Sequence, residues 1–369
     1  MSEANDAMRV PAAGEGLDTT KVSQLAIGIS AKPRTLIGDA WRRFRRHRLA
    51  LIGVSVLVFF TLAVTLGTIW YRGYLTEKLV EGGMPLPGDS TELRVLIDHL
   101  DFLNLLSSPS EIHLAGTDDL GRDLMARLLY GGRISLLVGL VAMLIAISLG
   151  TVIGAVAGFF GGQIDQILMR VTDLFLSLPG VPVTLLIVYL FRQPLRPTAD
   201  QAGFELAFNS ALYGAYSTVT GVFGPQGWIF TLVVTVIGGL AWMSTARIVR
   251  ASFLSLKEKE FVEAATALGV GKRAIMFRHI LPNAIGPVIV AATLEVGNAI
   301  IAESTLSFLG VGFPPDTPTW GRLVTDGSQY LQAAPWLALF PGLLIFLTVL
   351  SINFIGDGLR DALDPRSRL

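Results

Sequence analysis

Cysteine is absent from this 369-residue chain. Disulfides, thiolate chemistry and cysteine metal sites are therefore excluded. Histidine is scarce: His47, His99, His113 and His279 are scattered, with no pair at ligand spacing. No metal site is expected, and each of the four reads as a solvated loop residue. There is no HExxH motif, no nucleophile–base arrangement and no pair of catalytic carboxylates, so enzymatic chemistry inside the chain is not expected. A phosphate loop is missing too. Gly271-Lys272 lacks the upstream glycine at the required spacing and is followed by Arg273 in place of Ser or Thr. Charge is sparse, at 16% of residues, where soluble domains carry about 25%.

What is present is apolar and comes in long blocks. Six runs, at 49–70, 134–160, 174–191, 228–246, 284–301 and 336–355, approach or exceed the roughly 20 residues that a helix needs to cross a bilayer. The pattern is that of an all-α polytopic membrane protein with six transmembrane helices. A barrel would show short alternating segments. Basic residues are unevenly placed. With the N-terminus in the cytoplasm, 20 of the 29 Lys and Arg fall in inner segments, as the positive-inside rule expects, and the C-terminus is cytoplasmic as well. Arg42, Arg43, Arg45, Arg46 and Arg48 abut the first run and read as a membrane anchor, not a nucleic-acid site. The first run follows a 48-residue polar tail without a small-residue cleavage site, so it is expected to remain as an anchor.

The expected organisation follows. Residues 1–40 form a flexible cytoplasmic tail, and 41–70 the basic anchor and first transmembrane helix. Residues 71–133 form an external segment. Gly82-Gly83 and Pro85-Leu86-Pro87-Gly88 read as loop. Further on, Thr117 or Asp118 can cap a helix in which Leu120, Leu124 and Leu128 repeat every four residues. That predicts a short amphipathic helix on the outer surface, with Arg122, Arg127 and Arg133 on its polar side, locally against the charge rule. Residues 134–356 hold the other five transmembrane helices, including a cytoplasmic loop at 247–283, and 357–369 form a cytoplasmic tail. Residues 192–227 read as a polar external loop with no chemical role.

Three features inside the apolar runs could bear function. Pro179-Gly180-Val181-Pro182 breaks the third run, because proline removes a backbone donor and clashes with the preceding turn. Such a break is tolerated where protein or a water-filled path covers the freed groups. It is either a pathway-lining kink or a packing kink. Glu295 and Glu303 lie eight residues apart, on one helix face. An intramembrane carboxylate costs about 2.5–3.5 kcal/mol on insertion scales. It either lines a translocation pathway or makes an interhelical hydrogen bond. Asp173 is expected to face cytoplasmic water or an internal partner.

The loop at 247–283 is polar and patterned. Phe261, Ala264, Ala265 and Leu268 fall at i, i+3, i+4 and i+7, with Glu258, Lys259, Glu260 and Glu263 on the other side. Gly269 supplies a stop. A second helix places Val270, Ala274, Phe277 and Leu281 on one face and Lys272, Arg273 and Arg278 off it, and Pro282 ends it. Such a hairpin either rests on lipid or docks a partner, with Ala264 and Ala265 small enough to sit deep in a groove.

Glu263-Ala264-Ala265, Gly269 and His279-Ile280-Leu281-Pro282 at this spacing resemble the EAA loop of ABC importer permeases. His279, where an aliphatic residue is usual, and the wording Arg278-His279-Ile280-Leu281-Pro282-Asn283 are similar to the peptide/opine/nickel branch. Gly116-Thr117-Asp118, Gly121-Arg122-Asp123, the segment from Glu303 to Gly310, Thr319-Trp320-Gly321 and the ending from Gly356 to Pro365 agree with that branch, in particular its dipeptide/oligopeptide C type. The resemblance spans about residues 41–365 and implies a type I importer fold in a prokaryotic inner membrane. It further implies a second permease subunit, two ATPase subunits that carry ATP and Mg, and an extracytoplasmic binding protein, with no cofactor in this chain. ATPase docking would fall on Glu263, Ala264, Ala265 and Gly269, with Arg278, Leu281 and Pro282 from the same motif. The cargo would be a di- or oligopeptide, whose amino group would suit Glu295 or Glu303; nickel chelates, opines and oligosaccharides share the design. A self-sufficient secondary transporter would show inverted repeats with matching broken helices, which this chain lacks.

Overall fold

The computed structural model describes residues 36–81, 97–193, 196, 198 and 203–363. Most of the expected tail at 1–40, the Gly82–Gly88 loop and Asp364-Pro365 lie outside the described residues. Among these residues there is no strand, only a single antiparallel bridge between Thr117 and Asp123.

The helices in chain order are α1 (Leu36–Phe44), α2 (Arg48–Leu62), a π turn (Ala63–Gly67), α3 (Thr68–Glu81), α4 (Leu124–Phe160), α5 (Gly162–Ser177), α6 (Gly180–Phe191), α7 (Gly203–Lys257), α8 (Glu260–Ala267), α9 (Lys272–Ala274), a second π turn (Ile275–Ile280), α10 (Leu281–Phe308), α11 (Trp320–Ser328) and α12 (Trp336–Leu363). Five continuous stretches are long and apolar enough to cross a membrane: Arg48–Glu81, Leu124–Phe160, Phe204–Lys257, Lys272–Phe308 and Trp336–Leu363. The pair α5 and α6, bent by 86°, makes a sixth if counted as one span. The bend sits at Leu178-Pro179, where the third apolar run was expected to break.

Three boundaries differ from the sequence reading. The first span does not stop near Trp70, because Tyr71, Leu75 and Leu79 continue a buried four-residue stripe that packs on Ile97 and Ala126. The expected surface helix before the second span does not exist as a separate element. Its cap is neither Thr117 nor Asp118 but Asp123, whose carboxylate accepts from the Ala126 N–H at 2.7 Å. Leu124 and Leu128 are buried in the first turns of α4, and Arg127 is buried with them instead of lying on a polar side. The expected external loop at 192–227 is helical from Gly203 onward. It turns at Gly224 (φ 73°) just ahead of Pro225. The Gly- and Pro-rich sequence suggested a loop, but Tyr216 stacks edge-on against Trp228 at 5.4 Å and Leu212 and Val219 pack on the same cluster.

The centre of the bundle is the seam between α4 and α7. Gly150, Gly154 and Gly158 recur every four residues on α4. A Cβ on Gly154 would lie 2.4 Å from the Ala246 carbonyl oxygen, and one on Gly158 would lie 2.6 Å from the Phe253 Cβ. Small residues allow such backbone approach, which drives helix association where lipid removes the hydrophobic incentive. α10 packs across both helices, and α12 lies between α10 and α2. Leu363 at the end of α12 lies beside Gly286 near the start of α10. Phe44 and Ala50 contact Ala362. The described ends of the chain therefore meet at the end of the bundle that carries α8.

Gly154→Val forces the seam apart and is expected to lower the detergent melting temperature of the purified protein by several degrees, consistent with the roughly 1–3 kcal/mol that overpacking costs. Gly73→Ala, with nothing within 4 Å of the new Cβ, is expected to leave it unchanged or raise it.

Candidate functional site

The hairpin is anchored from beneath. Val262 and Ala265 of α8 and Ile275, Met276 and Ile280 after it bury against Ala155 and Phe159 of α4, Val249 and Phe253 of α7, and Ala284 and Val288 of α10. One cluster thus joins the hairpin to three long helices. Lys257 at the end of α7 donates to the Phe159 carbonyl at 2.8 Å and lies over its ring. Arg250 pairs with Asp165, and Arg247 meets Asp173 at 2.5 Å, tying α7 to α5. Asp173 thus has an internal partner.

α8 ends in a Schellman turn. The Val270 N–H reaches the Ala265 carbonyl at 3.1 Å and the Gly269 N–H reaches the Thr266 carbonyl at 3.0 Å. Gly269 takes the left-handed position, with φ 75°. The face it presents differs from the expected stripe. Ala265 points inward with Val262, whereas Phe261, Ala264 and Leu268 remain exposed, Leu268 by 84%. Glu263 and Gly269 are exposed as well. The i, i+3, i+7 apolar row of α8 is therefore an open surface bordered by a carboxylate.

The second limb also differs. Ala274 and Phe277 are exposed, and only Val270 and Leu281 of the expected face pack inward. Pro282 does not end this helix. A π turn over Ile275–Ile280 precedes it, and α10 then runs on to Phe308 with Pro282 in its first turn. The wider turn accommodates the ring, which would otherwise clash with the carbonyl four residues earlier. Arg278 is exposed, and the His279 carbonyl accepts from the Asn283 side chain at 2.7 Å.

The expected pathway residues are not gathered into one site. Pro179 is the N-cap of α6 and Pro182 lies in its first turn, both exposed. Glu295 is half-buried on α10. Glu303 is fully buried. Its Oε1 accepts from Ser307 and from Thr319, each at 2.8 Å, and Thr319 in turn caps α11 by accepting from the Arg322 N–H. Glu303 is thus a clamp between α10 and α11, the packing alternative of the two readings. Trp320 beside it is fully buried and donates from its indole to the Leu128 carbonyl at 3.0 Å.

The end of the bundle away from the hairpin carries a polar core that the sequence reading missed. His113 is buried. Its Nδ1 lies 2.8 Å from Asp123 and its Nε2 3.4 Å from Asp101, and Tyr71 donates to the same Asp123 at 2.9 Å. Beside this group, Asp118 pairs with Arg122 at 2.7 Å and Arg127 at 3.5 Å, while Asp326 meets Arg322 at 2.8 Å and Arg127 at 3.9 Å. Arg122 and Arg127, expected on the polar side of a surface helix, are instead buried with counter-charges. No metal-holding group of His, Asp and Glu exists among the described residues. The signal that could have found this core is Asp123, which follows Gly121-Arg122 directly at the start of a helix.

A family model described as "Binding-protein-dependent transport system inner membrane component" matches residues 150–369, and one for the "N-terminal TM domain of oligopeptide transport permease C" matches residues 35–77. The chain is 37% identical over 335 residues to the oligopeptide transport system permease protein OppC of Haemophilus influenzae, covering 91% of this chain and 90% of that protein. It is 36% identical to OppC of Escherichia coli K12, covering 92% and 94%. Its identity to the dipeptide transport system permease protein DppC of Alkalihalophilus pseudofirmus is 34%, covering 89% and 90%.

The buried histidine gives the distal core a pH signature. Burial pulls its pKa down, but the Asp123 and Asp101 carboxylates outweigh this and hold it above the usual 6.5. A group whose folded pKa is raised contributes stability that is fully present below the unfolded value and is lost as pH rises through the folded one. The melting temperature is therefore expected to fall as pH rises above the usual histidine value of about 6.5, and His113→Gln should flatten that slope while lowering stability at the acid end. An unchanged slope in His113→Gln would show that the imidazole does not titrate with folding.

Proposed function

The chain belongs to the family of binding-protein-dependent transport system inner membrane components, and we propose that it is one of two different permease subunits of an ATP-driven importer of di- and oligopeptides. The observation that carries this reading is the exposed row of α8, Phe261, Ala264 and Leu268 with Glu263, standing on a cluster shared by α4, α7 and α10. An apolar row bordered by charge, on a helix whose other side is packed, suits a protein partner better than lipid. The peptide cargo is supported by the named relatives, which are oligopeptide and dipeptide permeases. Nickel chelates, opines and oligosaccharides remain alternatives of the same design.

The hairpin end is assigned to the cytoplasm. α1 with Arg42, Arg43, Arg45 and Arg46, and the hairpin with Lys257, Lys259, Lys272, Arg273 and Arg278, all lie there, as the positive-inside rule asks. Both termini then face the cytoplasm, and the polar core around His113 faces outward, towards the binding protein. ATP and Mg belong to two ATPase subunits, and no cofactor is assigned to this chain. Closure of the ATPases pushes on α8. Because Val262 and Ala265 are locked into a close-packed cluster, the push passes to α4, α7 and α10 as a rigid displacement and turns the permease pair from inward- to outward-opening. Glu263, Ala264, Gly269 and Arg278 belong to the docking face. Ala265, Leu281 and Pro282 hold it in shape. Of the acids on α10, Glu295 is the one assigned to the pathway, and the bend at Pro179 and Pro182 is assigned to its wall.

Gly269 tests this reading. A β-branched residue in the left-handed conformation costs about 1–2 kcal/mol or more, whereas Asn tolerates it. Gly269→Val is expected to insert normally but to uncouple ATP hydrolysis from uptake in reconstituted vesicles, and Gly269→Asn to retain coupling. Equal coupling in both variants, or uptake in vesicles without any ATPase, would sink the proposal. Leu268→Asp is expected to lower the amount of ATPase that co-purifies with the chain by about tenfold, in line with loss of one buried anchor at an interface.

A further inference from the structure

A second candidate site lies in the membrane, away from the hairpin. A groove of about 510 Å³ opens between the first two spans. Leu57 and Thr61 of α2 and Leu137 and Leu140 of α4 form its walls, with Val296 of α10 and Ile352 of α12 as its floor. The hydroxyl of Thr61 is already bonded to the Leu57 carbonyl of its own helix, so the groove offers an apolar surface along almost all its length.

The exception is Arg133. Its guanidinium lies in the groove lining and holds the first π turn: Nε donates to the Val64 carbonyl at 2.6 Å and Nη2 to the Thr65 carbonyl at 2.9 Å, and Nη2 also contacts the Thr68 hydroxyl. A π turn frees carbonyls from the regular ladder, and here an arginine from the next span takes them up. All three partners are neutral, and among the described residues no carboxylate pairs with Arg133. Arg122, Arg127, Arg247, Arg250 and Arg322 all have one. Arg133 thus brings an uncompensated positive charge to the mouth of an apolar slot.

Its level in the bilayer decides what can neutralise it. Trp70 and Tyr74 stack at 5.6 Å, with Trp70 exposed by 64%. Such exposed aromatic pairs mark the membrane–water interface. Arg133 binds at Val64–Thr68, about one turn of helix deeper, where a basic side chain reaches up to a lipid phosphate or glycerol ester. From Thr65 the groove follows α2 down to Leu57, a span of roughly 12 Å at 1.5 Å per residue, most of the roughly 15 Å that one acyl tail spans in its leaflet.

The geometry points to a bound phospholipid with an anionic headgroup, its phosphate on Arg133 and one acyl chain in the groove between α2 and α4. The lipid supplies both the missing counter-charge and the apolar filling. It also braces the first span, which meets α4 chiefly through the π turn and α3.

The test uses the full-length protein, purified with whatever subunits it retains, from vesicles of phosphatidylglycerol and phosphatidylethanolamine in equal amounts. Co-purified lipid is extracted and quantified by mass spectrometry. The ratio of phosphatidylglycerol to phosphatidylethanolamine in the co-purified lipid is expected to exceed the vesicles' equal ratio by about fivefold, the scale of one basic residue's attraction to an anionic lipid. Arg133→Gln should abolish the enrichment. Because that substitution also loosens the π turn, Leu140→Trp provides a second arm. Leu140 is exposed at the groove, so the indole should fill the slot and lower retained lipid with the detergent melting temperature unchanged. No enrichment in the unsubstituted protein, or enrichment that survives both substitutions, would overturn the inference. So would a Leu140→Trp protein that keeps its lipid but loses a co-purifying membrane subunit, since the groove would then belong to a subunit contact.

Discussion

The structure depends on the close approach of α4 and α7 along Gly150, Gly154 and Gly158. In lipid, apolar side chains gain nothing by leaving one apolar environment for another, so helices associate through contact density and backbone proximity. Three glycines four residues apart let the α7 backbone at Trp242, Ala246 and Arg250 lie directly on α4. The seam then fixes what flanks it. Towards one end it brings Phe159 beside Phe253 and so builds the seat on which α8 rests. Towards the other it sets Val138 and Ala142 against Val233 and Ile237, the core that Trp228 and Phe313 cover.

The two ends of the bundle solve different problems. The hairpin end is held by apolar packing and leaves its polar and apolar surface open. The far end buries its charges: Asp118, Arg122, Arg127, Arg322 and Asp326 in one group, and Asp101, His113, Asp123 and Tyr71 in another. Buried ion pairs cost desolvation and are weak evidence for stability, but losing one partner is expensive. Their consequence here is geometric. Asp123 caps α4, receives Tyr71 from the first span and holds His113 from the loop between them, so a single carboxylate fixes three segments.

The sequence was most legible where period and composition agree. The apolar runs marked a part of every long helix, and the residues from Glu263 to Gly269 marked the hairpin and its turn, because left-handed φ at a helix end is a local demand that glycine announces. What tertiary contact decides was not legible. Phe261 and Val262 are adjacent and both apolar, and only the position of Phe159 and Phe253 determines that Val262 turns inward. Pro282 read as a stop because the π turn that absorbs it has no sequence mark. The region 203–223 read as loop because its glycines carry no sign of the Trp228 cluster on which it packs. His113 read as solvated because its partners, Asp101 and Asp123, are separated from it by turns rather than by a helical period.

The polar groups inside the spans show how little freedom the bilayer leaves. Backbone groups without a partner are too costly in hydrocarbon to persist, and a side chain can take up what an irregular turn frees. The first π turn is taken up by Arg133. Glu303, the acid in the interior of α10, is held by Ser307 and Thr319, which ties α10 to the start of α11. The bend between α5 and α6 differs in kind: Pro179 and Pro182 are exposed, and Val188 is the one buried residue of α6. This sharply bent pair leaves most of its surface uncovered. Glu295, half-buried on α10, is the acid of that helix that takes no part in the Ser307–Thr319 clamp.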